Sequence, residues 1–246
     1  MNNTILLNGH TRTGTELLLA ILRSRGFYTL GEIVTNSVPQ SYITRLKEDP
    51  TYERAYFDKF NVGLRYQLND KNVSKKVVKV MINHLHTIRP HIHGYITDRI
   101  LLWRQDMFAS QISHQTALAR NSWIRWGDNQ PQEWKSDVAP ATFSLDVHDF
   151  AQRLQWRIRD WEELLDNLPH QPEYTLVTEY RDVVEYSERN PNSGYTRPTL
   201  ANTITNLAEL QEIYNRHHHQ VEAINGRLLL LQADSPSLEQ YIDQRC

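Results

Sequence analysis

Hydrophobic positions along this chain follow two rhythms. Compact apolar runs occur at Ile5 to Leu7, at Val77 to Ile82 (VVKVMI) and within Tyr95 to Trp103 (YITDRILLW), whereas Leu17, Leu18, Ile21 and Leu22 recur at helical spacing. A short unbroken run bounded by turn signals reads as a strand covered on both faces, and the 3.6-residue rhythm reads as an amphipathic helix. The pattern predicts further helices from about Asp106 to Arg120 and from Phe150 to Leu168, the latter closed by Pro169. A short strand at Tyr174 to Thr178 leads into a helix-like segment that breaks near Asn190 to Pro198, and Leu200 to Ala223 reads as helix. Gly26 to Ser41 reads as a connection, and Tyr42 to Asn69 as helical with Tyr52, Tyr56, Phe57 and Phe60 as packing residues on one face. Strands separated by helices imply an α/β fold in which a central parallel sheet is flanked by helices, with ligands bound beyond the C-terminal strand ends.

Composition narrows this picture. A length of 246 residues suits a single domain, 1–246, with a full core. The formal net charge of −2 and the lack of a long basic tract exclude a non-specific nucleic-acid binder, while a focused positive pocket stays open. Cys246 is the only cysteine, so no internal disulfide forms, which fits a reducing compartment. Neither a signal peptide nor an apolar run of membrane length is present, and LLLLQ near the C-terminus is too short. A soluble cytoplasmic protein is the expectation.

The chemistry concentrates in Thr4 to Leu22, TILLNGHTRTGTELLLAIL, where a strand passes through a short loop directly into a helix. Gly9 and Gly14 permit close backbone approach, so the N–H groups of Thr13 to Glu16 can form an anion site at the helix start. Arg12 adds a cation and Thr11, Thr13 and Thr15 add hydroxyl donors. No Lys follows Gly14, so the loop departs from the nucleotide-hydrolase pattern GxxxxGK[ST]. A strand–turn–helix without a ligand is the plain alternative. Arg104, just beyond a strand, and Ser113, nine residues later on a helix, form a second candidate anion grip. Pairing of Arg104 with Asp106 is the competing reading.

GHTRTGTELL resembles the 5′-phosphosulfate loop of sulfotransferases that use 3′-phosphoadenosine-5′-phosphosulfate (PAPS), in the branch reading R-[ST]-G-[ST]-x-L. WRQDMFASQIS, residues 103 to 113, resembles their 3′-phosphate motif. VKVMINHL, residues 78 to 85, and Trp123 are similar to features of Stf0-type carbohydrate sulfotransferases, and Gly31-Glu32 resembles a pair in tyrosylprotein sulfotransferases. The resemblance spans about the first half of the chain.

It implies a three-layer P-loop-like fold and transfer of a sulfonate group from PAPS to a hydroxyl, leaving 3′-phosphoadenosine-5′-phosphate (PAP), with no metal required. By position, Arg12, Thr13, Gly14, Thr15 and Glu16 would surround the 5′-phosphosulfate, and Arg104 with Ser113 would hold the 3′-phosphate. Glu32 would be the base that takes the acceptor proton, with a helix cap or a surface charge as its competing reading. Trp123 or Trp126 is a candidate to stack on adenine, with Trp123 as a simple core residue the competing reading. The C-terminal half lacks the RKG-type nucleotide segment of the cytosolic enzymes, and SGYTRP (193 to 198) is a candidate substitute lid through Tyr195 and Arg197. Glu16 departs from the family's small residue and places a carboxylate near the donor, unless it turns away or pairs with Arg12.

Among the histidines, His10 lies inside the loop and is a candidate for donor or acceptor contact and catalysis. His84 and His86 are candidates for substrate contact. His84, His86, His91 and His93 form two HxH pairs that would otherwise read as a metal site, whereas His217 to His219 fan around a helix and read as surface. The favoured acceptor is a carbohydrate or glycolipid hydroxyl. A peptide tyrosine, a kinase-like nucleotide enzyme and a catalytically silent nucleotide-binding or glycan-binding module are the alternatives.

Overall fold

The computed structural model describes residues 3–32, 73–85, 93–119, 142–168, 174–190 and 203–245. Five strands form one parallel sheet: β1 (Asn3–Gly9), β2 (Tyr28–Glu32), β3 (Lys75–Met81), β4 (Asp98–Trp103) and β6 (Leu176–Glu179). Their spatial order is β2-β3-β1-β4-β6. In register, Gly9 at the end of β1 lies beside Met81 of β3 and Leu102 of β4.

This order positions the site. Chain leaving β1 goes toward β2 and β3, whereas chain leaving β4 goes the other way, toward β6. Connections that diverge from neighbouring strands open a crevice at their C-terminal ends. The loops after β1 and β4 therefore share one mouth, and they carry Arg12 and Arg104.

Both faces of the sheet are covered, which explains the unbroken apolar runs. On one face, Ile5, Leu7, Ile100 and Leu102 pack with α1 (Thr15–Ser24), with Val183 and Tyr186 of α4 (Tyr180–Arg189), and with Tyr241 and Ile242 of α7 (Leu238–Arg245). On the other face, Leu6, Val78, Leu101 and Trp103 meet α3 (Val147–Asn167), α5 (Leu207–Arg216) and α6 (His218–Ala233), while α2 (Met107–Ala119) adds Met107. Helix α3 begins where Asp146 accepts a hydrogen bond from the Asp149 N–H at 2.8 Å, a side-chain cap that satisfies an otherwise orphaned donor.

Two expectations change. The connection predicted from Gly26 contains β2, an edge strand with little to announce it. Tyr28 is 52% exposed, and the register shifts between Thr29 and Glu32. The helix predicted over Leu200 to Ala223 is instead a short strand β7 (Thr203–Ile204), then α5, a break at His217, and α6. Buried Leu210, Ile213, Val221, Ile224 and Leu228 keep nearly one helical phase across the break, so periodicity alone hides it. Strand β7 pairs with β5 (Thr142–Phe143) in a second, two-stranded sheet, whose elements are too short for a pattern to register. The predicted helix over Tyr42 to Asn69 lies outside the described residues. Among those described, no helix is long and apolar enough to cross a membrane.

Candidate functional site

The loop after β1 is built around two glycines. At Gly9 a Cβ would lie 2.9 Å from Thr13 Oγ1 and from Thr15 Cγ2, so only hydrogen fits there. Gly14 has φ 90° and precedes α1 without a side-chain cap, and a Cβ on it would strike Tyr180 Cδ2 at 2.4 Å. The ring of Tyr180 therefore closes over the start of the helix. Within the loop, Thr13 Oγ1 donates to the His10 carbonyl at 2.8 Å. Arg12 itself adopts a left-handed φ of 62°, uncommon for any residue with a side chain.

Arg12, Arg104 and Ser113, expected on separate grips, come together. Arg12 Nε donates to Ser113 Oγ at 3.0 Å, and Arg104 Nη1 reaches the Arg12 carbonyl at 3.4 Å. Arg104 also lies over the Tyr180 ring, 4.8 Å from its centroid. Its competing partner is otherwise engaged: Asp106 Oδ1 accepts from the Ala109 N–H at 2.8 Å at the start of α2. Among the described residues Arg104 forms no ion pair. A cleft of about 470 Å³ opens beside it, lined also by Tyr180, Arg181, Tyr214, Glu222 and Asn225.

Glu16 meets Lys79 of β3, whose Nζ donates to Glu16 Oε1 at 2.7 Å. A buried ammonium thus offsets the carboxylate that departs from the resembling loops. Thr13 and Thr15 are both buried at the loop.

His10 has partners on both ring nitrogens. Its Nδ1 accepts from the Thr11 N–H at 3.0 Å, which leaves the proton on Nε2 to donate to Asp160 Oδ2 at 3.1 Å. His114 of α2 lies in the same positive field. Burial first, then Arg157, Arg153, His10 and Arg12, lower its pKa to about 3, so it is neutral at physiological pH.

Several contributors were not singled out by sequence reading: Arg157 and Asp160 on α3, Ser110 on α2, and Tyr180. Arg157 had a signal. It falls on the apolar stripe of α3 formed by Phe150, Leu154, Ile158, Trp161, Leu164 and Leu165, where a guanidinium has no business unless it has partners inside.

Glu32 ends β2, two strands from β1 and on the same C-terminal edge, its backbone in register with Lys79. At a strand spacing of about 4.8 Å this is roughly 10 Å across the sheet from the loop. His84 belongs to a single 3-10 turn, Ile82–His84, that follows β3 at that edge. His86, Trp123, Trp126, Tyr195 and Arg197 lie outside the described residues. Among the described residues no group of three or more His, Cys, Asp or Glu side chains is placed to hold a metal. His217 marks the α5–α6 junction, with its Nδ1 3.0 Å from Gln220 Oε1, and His218 and His219 are exposed.

The edge where β1 and β4 end gathers the guanidinium groups of Arg12, Arg104, Arg153 and Arg157, with Asp149 ion-paired to Arg153 and Asp160 hydrogen-bonded to His10, while Asp106, Glu179 and Glu222 also line the cleft beside Arg104. Fixed guanidinium groups and hydroxyls on the loop side of this edge suit an anion. The chain matches no protein-family model, no curated protein and no solved structure.

Proposed function

We propose that this chain is a sulfotransferase that moves a sulfonate group from PAPS to an acceptor hydroxyl, with a carbohydrate or glycolipid as the acceptor class. One observation carries the reading. The residues of two motifs separated by about ninety positions, Arg12 on one and Arg104 with Ser113 on the other, lie within hydrogen-bond reach of one another at the mouth of the sheet. A donor with phosphate groups at both ends of its ribose calls for such a two-part cationic grip.

In this reading the acceptor oxygen attacks sulfur in line as the bond from sulfur to the bridging oxygen breaks. The electron pair leaves with PAP. Arg12 and the N–H groups at the start of α1 stabilise charge growing on the leaving phosphate. Glu32 receives the acceptor proton. His10, with Nε2 turned to Asp160 and Nδ1 to the loop backbone, holds the loop and carries no proton to or from the acceptor. The Lys79–Glu16 pair keeps the extra carboxylate from repelling the donor. Glycan stacking falls to aromatic side chains, and the favoured acceptor follows from the Stf0-like motifs.

Turnover tests the proposal. The protein is incubated with PAPS and panels of glycans, glycolipids and tyrosine peptides, and release of PAP is followed together with acceptor mass. Acceptor-dependent PAP release is expected, abolished in Glu32→Gln with PAP binding retained. Full turnover by Glu32→Gln would remove Glu32 as the base. Tight PAP binding with no transfer to any acceptor class would favour the silent module.

A further inference from the structure

Arg157 is 1% exposed and lies on the core-facing stripe of α3. Taking a guanidinium out of water is costly unless an opposite charge and a full set of acceptors compensate. Here the compensation is incomplete. Among the described residues Arg157 forms no ion pair, and its Nε has no hydrogen-bond partner. Burial and Arg104 lower its pKa to about 9, against the opposing pull of Asp160, so it is still a cation at neutral pH.

What it does make is a fork across two elements. Nη1 donates to Ser110 Oγ of α2 at 2.5 Å, while Nη2 donates to the Thr11 carbonyl at 3.2 Å and to Thr11 Oγ1 at 2.9 Å. Ser110 Oγ in turn lies 3.3 Å and 3.4 Å from the carbonyl oxygens of Thr11 and Arg12. The residue next to this grip is Arg12, at φ 62°. A side-chain-bearing residue keeps a left-handed conformation only where its surroundings over-determine it, and these hydrogen bonds converge on its two flanking carbonyls.

We propose that Arg157 is a positioning residue of the anion site: its fork locks Thr11 to α2 and so holds Arg12 and the N–H groups that follow in the geometry that receives a 5′-phosphosulfate. The role rests on reading this edge as a PAPS site. Arg157 acts through the loop and does not touch the donor. A lysine at this position keeps the charge but, with a single ammonium, cannot bridge the Thr11 carbonyl and Ser110 as a planar fork does.

The test compares PAP with adenosine 3′-phosphate, which lacks the group the loop would hold, in the wild-type protein and in Arg157→Met, Arg157→Lys and Ser110→Ala. Affinities come from calorimetry, and amide exchange is read at residues 11–16 and along α3. In Arg157→Met, PAP is expected to weaken about thirtyfold, the scale of lost hydrogen bonds to a charged group, with adenosine 3′-phosphate changed less than about threefold. Arg157→Lys is expected to stay at least about tenfold weak for PAP. Loop amides should exchange faster while those of α3 do not.

Equal weakening of both nucleotides would make Arg157 general structural support. Wild-type PAP affinity in Arg157→Lys would show that charge alone suffices. Either result overturns the proposal. If Arg157→Met does not fold, Ser110→Ala decides: about fivefold weaker PAP binding supports the role, and wild-type binding with wild-type loop exchange overturns it. If the wild-type protein binds neither nucleotide, the sulfotransferase reading fails separately. Loop exchange in Arg157→Lys and Ser110→Ala then decides the holding role, and unchanged exchange rejects it.

Discussion

Replacing Gly14 with alanine tests the packing at the start of α1. Two costs add. At φ 90° a Cβ carries a backbone penalty of about 1 kcal/mol. In addition, the new methyl would lie 2.4 Å from Tyr180 Cδ2 and 2.7 Å from Cε2, so the ring must move. Overpacking of this kind costs about 1–3 kcal/mol, and displacing the ring also loosens the Arg104 contact, worth about 0.5–1 kcal/mol. The sum is about 2.5–5 kcal/mol, or roughly 5–20 °C in Tm for a chain of this size. Gly26 supplies the control. Its φ of 86° imposes the same backbone cost, but a Cβ there meets nothing within 4 Å, so Gly26→Ala is expected to cost only about 1 kcal/mol. Urea denaturation of both variants, repeated in a Tyr180→Ala background, isolates the ring. There the excess cost of Gly14→Ala should vanish. Equal destabilisation by the two substitutions in the parent protein would refute the claim that Tyr180 caps the loop.

Glu16→Gln is expected to destabilise the protein by about 1–3 kcal/mol in the same assay, because it removes a counter-charge from the buried Lys79 ammonium. Combining it with Lys79→Met should recover much of that loss, and strict additivity would contradict the pairing. His114 has a native pKa near 3 against an unfolded value of 6.5, so below pH 6.5 the unfolded chain binds a proton that the native state refuses. Stability should therefore fall as pH drops from about 6.5 toward 3, by up to about 1.4 kcal/mol per pH unit from this group. The gap between wild type and His114→Gln, followed by urea denaturation from pH 7 to 4.5, should narrow or invert with that slope, and parallel curves would deny the burial of a neutral imidazole.

The sheet was legible where strands are covered on both faces. Ile5 to Leu7, Val77 to Ile82 and the run ending at Trp103 all fall within or overlap observed strands, because double burial leaves an unmistakable apolar run. Strand β2 was hidden for the converse reason: Tyr-Thr-Leu-Gly-Glu at a sheet edge needs little apolar content. At the site, Arg12, Gly14 and Arg104 could be named from their places just after strands, and Ser113 from its place nine residues beyond Arg104 on the helix that follows. Arg157 and Asp160 could not be placed, since their relevance arises from α3 crossing the mouth far along the chain from the loop they touch. The partners of Glu16 and His10 are likewise tertiary facts. Lys79 lies inside a strand run that spacing alone reads as simple core.

Calorimetric titration with PAP and with ADP, of the wild-type protein beside Arg104→Ala, tests the central claim most directly. A strong preference for PAP in the wild type, lost in Arg104→Ala, is the expected result. Equal or absent binding of the two nucleotides by the wild-type protein would contradict the assignment of this edge as a PAPS site.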